Sequence, residues 1–120
     1  MIKGLGIDIC DTKKITLMAK KSAFMKRVFA PAEAAYCMAK RNFGEHLAGR
    51  FAVKEAFIKA LSTDKGIPLN AIETRNNKDG RPEIVLTPVL KKALRKKGAK
   101  KAVISISHTK TAAAAVCILV

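Results

Sequence analysis

Arg50-Phe51-Ala52-Val53-Lys54-Glu55-Ala56-Phe57-Ile58-Lys59-Ala60-Leu61 is the stretch around which the rest of this chain is arranged. Wound as a helix at roughly 100° per residue, it gathers Leu47, Phe51, Ile58 and Leu61 into an arc of about 80°. Lys54 projects into the middle of that arc, and Glu55 lies about 40° past its edge on the Phe51 side. A charge on or beside the core-facing stripe of a helix is costly unless it is paired or bound to something. The helix is therefore expected to carry a site as well as to pack.

A second carboxylate stands out near the start, in Leu5-Gly6-Ile7-Asp8-Ile9. Leu5, Ile7 and Ile9 alternate with Gly4, Gly6 and Asp8, the period of a strand. The expectation is that the apolar set forms the buried face. Asp8 is the one charge on the other face, and the glycines before it would let another backbone or a ligand approach closely. Asp8 and Glu55 are then able to face each other across a strand–helix contact. Two carboxylates about 4 Å apart repel by roughly 4 kcal/mol at an effective dielectric near 20. A divalent cation reverses that sign, and an all-oxygen pair with room for water and phosphate suits Mg²⁺ better than Zn²⁺. The plainer readings are a turn or cap for Asp8 and an i,i+4 ion pair with Lys59 for Glu55.

Outward from these two segments, residues 2–10 read as a strand and 13–29 as one helix with Thr12 as N-cap. A short helix follows from Pro31 to about Lys40, and the site helix covers about 45–61. Residues 62–68 read as a loop. Strand-like runs at 69–75 and 83–87 flank the turn signal Asp79-Gly80. A helix from Pro88 stops at Gly98, and strands at 102–108 and 112–119 close the chain. The mixture predicts a single α+β domain over residues 1–120, with an antiparallel sheet packed against helices.

The chain has 120 residues and a formal net charge of +15. Lys13, Lys14, Lys20, Lys21, Lys26 and Arg27 form one basic run without an acid, and residues 91–101 form another. Such fields favour polyanions: nucleic acid, anionic lipid, a polyphosphate cofactor or an acidic protein. No run is apolar for the ~20 residues a membrane span needs. The chain opens directly on a strand pattern, with no signal peptide pattern. Cys10, Cys37 and Cys117 are an odd set without scaffold or zinc-site spacing, as expected of free thiols in a reducing cytoplasm.

Gly6-Ile7-Asp8-Ile9, the run Gly49 to Leu61, and Ser105-Ile106-Ser107-His108-Thr109 together resemble the holo-acyl-carrier-protein synthases, the small class of 4′-phosphopantetheinyl transferases. The resemblance spans nearly the whole chain in order and spacing. It implies the transferase fold and transfer of the phosphopantetheine arm of coenzyme A to a serine of acyl carrier protein, with release of 3′,5′-ADP, in service of fatty acid biosynthesis. It further implies Asp8 and Glu55 as ligands of Mg²⁺, with Glu55 and Lys59 taking part in the chemistry. Lys54 and Lys59 would lie by the phosphates, although snorkelling from a partly buried face is an equal reading of both. Arg50 and His108 would hold the 3′-phosphate region, with Ser62, Thr63 and Thr109 beside the cofactor. Where the family usually shows Gly-Thr-Gly, this chain has Ser62-Thr63-Asp64-Lys65-Gly66.

Acyl carrier proteins are small and acidic, so the resemblance gives the first basic run a partner. Lys13, Lys14, Lys21 and Arg27 would steer docking, with Met18, Phe24 and Met25 as apolar anchors or core residues. Lys14 stands near a position where the family often has Arg. The small class forms trimers with active sites between subunits. The competing reading is a non-enzymatic basic nucleic-acid-binding domain. The chain has one Tyr and five Phe for base stacking, the Phe sit at core-like positions, and no nucleic-acid motif is present. A Mg²⁺-dependent phosphohydrolase shares the site but lacks an evident water-activating dyad.

Overall fold

The computed structural model describes residues 1–62 and 66–120. In chain order they form β1 (Gly4–Asp11), α1 (Thr12–Met18), α2 (Ser22–Val28), α3 (Pro31–Met38), α4 (Phe43–Leu61), a 3-10 turn (Leu69–Ala71), β2 (Thr74–Asn76), β3 (Pro82–Ile84), α5 (Pro88–Lys96), β4 (Ala102–His108) and β5 (Ala112–Leu119). The fold is α+β. One antiparallel sheet has the order β1-β5-β4, and β2 and β3 form a separate hairpin. Its turn carries Gly80 at φ 80°, where a side chain would be strained.

Helix α4 lies on the three-stranded sheet and is buried nearly all round. Leu47, Ala48, Ala52, Val53, Ala56, Phe57, Ala60 and Leu61 are all essentially inaccessible, the pattern of a central helix rather than a surface one. Its alanines at 48, 52, 56 and 60 recur every four residues, a row of small side chains along one side. The sheet answers with small residues of its own. A Cβ at Gly6 would collide with the Ala56 carbonyl oxygen, and one at Gly4 with that of Ala60. The two glycines therefore let strand and helix backbones touch.

This close approach reverses the expected face of β1. Gly4, Gly6, Asp8 and Cys10 point toward α4, while Leu5, Ile7 and Ile9 are 61%, 66% and 72% exposed. The alternation is as read, but the glycine face wins the core because only it admits the helix backbone. Opposite Leu5 stands Ile118, itself opposite Val103, and opposite Ile7 stands Val116. The outward face of the sheet is thus an apolar surface.

Two further expectations change. The single helix over 13–29 is two helices, separated by an extended Lys21, which turns Phe24 and Val28 into the core with Phe29. The N-cap of α1 is Asp11, whose carboxylate accepts from the Lys14 amide at 3.1 Å. Thr12 is the first helical residue. The run 69–75 begins as a 3-10 turn after Pro68 and is strand only from Thr74. The second run is strand over Pro82–Ile84.

Candidate active site

Where β1 meets α4, three charged side chains come together. Lys59 donates from Nζ to the Ile7 carbonyl oxygen at 3.0 Å and to Asp8 Oδ1 at 3.2 Å. It is the one exposed residue of α4. Glu55 is half-buried, and its carboxyl is held above the usual range by burial and then by the Asp8 charge, against the pull of Lys59. Asp8 and Glu55 are thus close enough to repel, as read from the sequence. Both are hard oxygen donors, which fits Mg²⁺. Among the described residues no group of three or more His, Cys, Asp and Glu side chains is placed to hold a metal ion. A two-carboxylate site leaves its other positions to water and phosphate oxygens.

Lys54 is a correction. Its ammonium is fully buried and paired with the equally buried Glu33. It also donates to the main-chain oxygens of Leu69, at 3.0 Å, and Ile72. Glu33 in turn accepts from the amides of Ala30 and Thr74. The Lys54 stem leaves α4 on its core side, so the charge ties α3 and the segment before β2 to the helix and does not reach the carboxylate pair. Burial lowers its basicity, and Glu33 restores part of it.

A second cluster lies around Arg50. This residue is only 6% exposed. Its guanidinium stacks over the Tyr36 ring with 4.7 Å to the centroid. Nη2 donates to Asn76 Oδ1 at 3.3 Å, and Asn76 Nδ2 donates to the Tyr36 hydroxyl at 2.9 Å. Nε has no partner among the described residues. His108 shares the pocket, with Nδ1 at 3.0 Å from Glu45 Oε1. The His46 ring lies between Tyr36 and His108, with centroids 6.1 and 5.8 Å away. Burial lowers the His46 pKa, and Arg50, His108 and Lys40 push it the same way. An arginine with a spare buried donor lining a pocket is suited to an anion.

The structure brings together Asp8, Glu55 and Lys59, and separately Arg50 and His108, but does not merge the two groups. Arg50 and Glu55 are five residues apart on one helix, which places them about 140° around and roughly 7.5 Å along it. Tyr36, Glu45, His46 and Asn76 were missed in the sequence. His46, one turn before Arg50 on the same helix side, was the one with a readable signal.

The remaining expected residues are dispersed. Ser62 caps α4 with φ 59°, and its Oγ accepts from Lys97 Nζ at 3.1 Å. Thr63 lies outside the described residues. Thr109 is exposed, and its hydroxyl accepts from the amides of Thr111 and Ala112 in the β4–β5 turn. Lys13, Lys14, Lys21 and Arg27 are exposed along α1 and α2. Met18 and Met25 pack partly against the core. Phe24 is 5% exposed and set edge-on to Phe29, so it is a core residue and not an anchor for a partner.

The family model described as the 4′-phosphopantetheinyl transferase superfamily matches residues 4–117. The chain is 44% identical to a holo-acyl-carrier-protein synthase of Syntrophus aciditrophicus, over 99% of this chain and 96% of that one. It is 41% identical to one of Thermodesulfovibrio yellowstonii, over 99% of both. Among solved structures, the holo-acyl-carrier-protein synthase of Neisseria meningitidis superposes with a TM-score of 0.89 at 31% identity, covering 100% of this chain and 99% of that one. The Helicobacter pylori enzyme, solved in complex with coenzyme A, gives 0.81 at 28% identity, covering 97% and 99%.

Proposed function

The chain belongs to the 4′-phosphopantetheinyl transferase superfamily, and from that premise we propose that it moves the phosphopantetheine arm of coenzyme A onto a serine of apo acyl carrier protein. The observation that carries this reading is the Asp8–Lys59–Glu55 cluster, set where two glycines let β1 touch α4. The serine oxygen forms a bond to the β-phosphorus. The bond from that phosphorus to the bridging oxygen breaks, and 3′,5′-ADP leaves. Mg²⁺, when bound by Asp8 and Glu55, stabilises charge on the diphosphate oxygens. Lys59 adds a positive charge at the mouth of the same site. Glu55 orients the acceptor of the serine proton. Arg50 and His108 hold the 3′-phosphate.

The active site is completed between copies of the chain, as a trimer. Two observations support this. Arg50 and Glu55 leave α4 on different sides, so one chain presents two partial sites. The sheet face carrying Leu5, Ile7, Ile9 and Val103 is exposed and apolar, as a surface awaiting a partner is. The basic side chains of α1 and α2 then receive the acidic carrier protein. The enzyme works in the cytoplasm and serves fatty acid biosynthesis. Three free cysteines accord with that compartment, and among the described residues no helix is long and apolar enough to cross a membrane.

The test is incubation with coenzyme A, Mg²⁺ and apo acyl carrier protein, followed by intact-mass measurement of the carrier. One phosphopantetheine should be added by wild type and none by Asp8→Ala or Glu55→Ala, each with an unchanged circular dichroism spectrum. Normal turnover by either variant at limiting Mg²⁺ removes that residue from the metal site.

A further inference from the structure

Glu45 is the only acidic side chain lining the Arg50 pocket among the described residues. It sits in the first turn of α4 and meets His108, the last residue of β4, at 3.0 Å. A carboxylate only accepts hydrogen bonds. The hydrogen is therefore on His108 Nδ1, and Nε2 is the nitrogen left for a ligand. We propose that Glu45 is a positioning residue that fixes the His108 ring so that the pocket receives a phosphate monoester together with one proton.

This deepens the coenzyme A reading and rests on it. With Nδ1–H committed to Glu45, an uncharged His108 offers a lone pair at Nε2. That lone pair repels phosphate oxygens but accepts from a hydroxyl. To donate to phosphate, Nε2 must first take a proton from solvent, with the Glu45 carboxylate 3.0 Å behind the ring as its counter-charge. The other groups facing His108 agree. Arg50 brings a permanent charge and an Nε without a partner among the described residues, and Lys40 lies over the Tyr36 ring. Asn76 and the Tyr36 hydroxyl are engaged with each other. His46 is kept uncharged by burial and by those cations, so it does not compete for the proton. The pocket thus separates a 3′-phosphate from a 3′-hydroxyl by a change of protonation as well as by direct attraction.

The experiment is calorimetric titration of coenzyme A and 3′-dephospho-coenzyme A, in buffers of different ionisation enthalpy, at a pH above the ordinary histidine value of about 6.5. Wild type should take up close to one proton with coenzyme A and none with the dephospho form. Glu45→Gln should lose most of that uptake and bind coenzyme A about tenfold more weakly, with the dephospho form changed by less than about twofold. ¹⁵N spectra of the ligand-free wild type should show the hydrogen of His108 on Nδ1. Equal uptake with both ligands, a hydrogen on Nε2, or equal weakening of both ligands by Glu45→Gln overturns the positioning role while leaving the cofactor assignment intact. Failure of wild type to bind either ligand overturns the cofactor assignment and this inference with it.

Discussion

Lys54 and Glu33 form an ion pair with neither side chain accessible to solvent. The pair joins α3 to α4, and through the Leu69 and Ile72 carbonyls and the Thr74 amide it also holds the segment leading into β2. Removing one partner strands a buried charge. Glu33→Ala should cost about 3–5 kcal/mol, read by urea denaturation. The double variant Glu33→Leu/Lys54→Met should recover much of that loss, because no unpaired charge remains. A double variant no more stable than Glu33→Ala would show that the hydrogen bonds, rather than the charges, hold the segment.

Gly6→Ala tests the strand–helix contact. The added methyl must push β1 off the Ala56 carbonyl, at about 1–3 kcal/mol of stability. It should also lower phosphopantetheine transfer, because Asp8 moves with the strand while Glu55 stays with the helix. Unchanged melting and turnover would show that the backbone contact sets nothing.

The outward sheet face is tested by Ile7→Glu. Ile7 is 66% exposed in a single chain, so the substitution should leave the circular dichroism spectrum intact. Light scattering should report monomers and transfer should be lost. A trimer that survives this change does not use this face.

Reversal of Lys14, Lys21 and Arg27 to Glu should weaken carrier-protein binding and flatten its salt dependence, since the steering charges are gone. Coenzyme A affinity should hold. Parallel loss of both affinities would assign α1 and α2 to folding or to the cofactor.

His46 gives a pH dependence. Its pKa is lower in the folded chain than the ordinary 6.5, so between the two values the unfolded chain binds more protons. The associated stability is complete above the unfolded value and is lost as pH falls through the folded one. His46→Phe should flatten the decline in thermal midpoint on acidification through that window. A variant that declines as steeply as wild type would place the acid sensitivity elsewhere.

Much of this was legible in the sequence. The periods of 50–61 and 102–108 and the short apolar run of 112–119 specify their elements, and the odd placement of Glu55 marks the site helix. The buried face of β1 was not legible, because alternation looks the same whichever side is covered. What decides it is the glycine–alanine fit to α4, a relation between segments some fifty residues apart. Lys54 was ambiguous for a related reason: a lysine on a core-facing stripe can reach a ligand or an internal carboxylate, and Glu33 lies on a helix whose docking the sequence does not reveal. Tyr36, Asn76 and Glu45 are ordinary residues until the chain folds.

The glycine contact has one more consequence. Where α4 rests on β1, main-chain atoms set the gap, and main-chain atoms have no rotamers. The frame beneath Asp8 and Glu55 is therefore a fixed gauge rather than an adjustable joint. Repacking elsewhere in the core can alter how firmly the protein holds together without resetting that gauge, so stability and catalytic geometry are open to separate tuning.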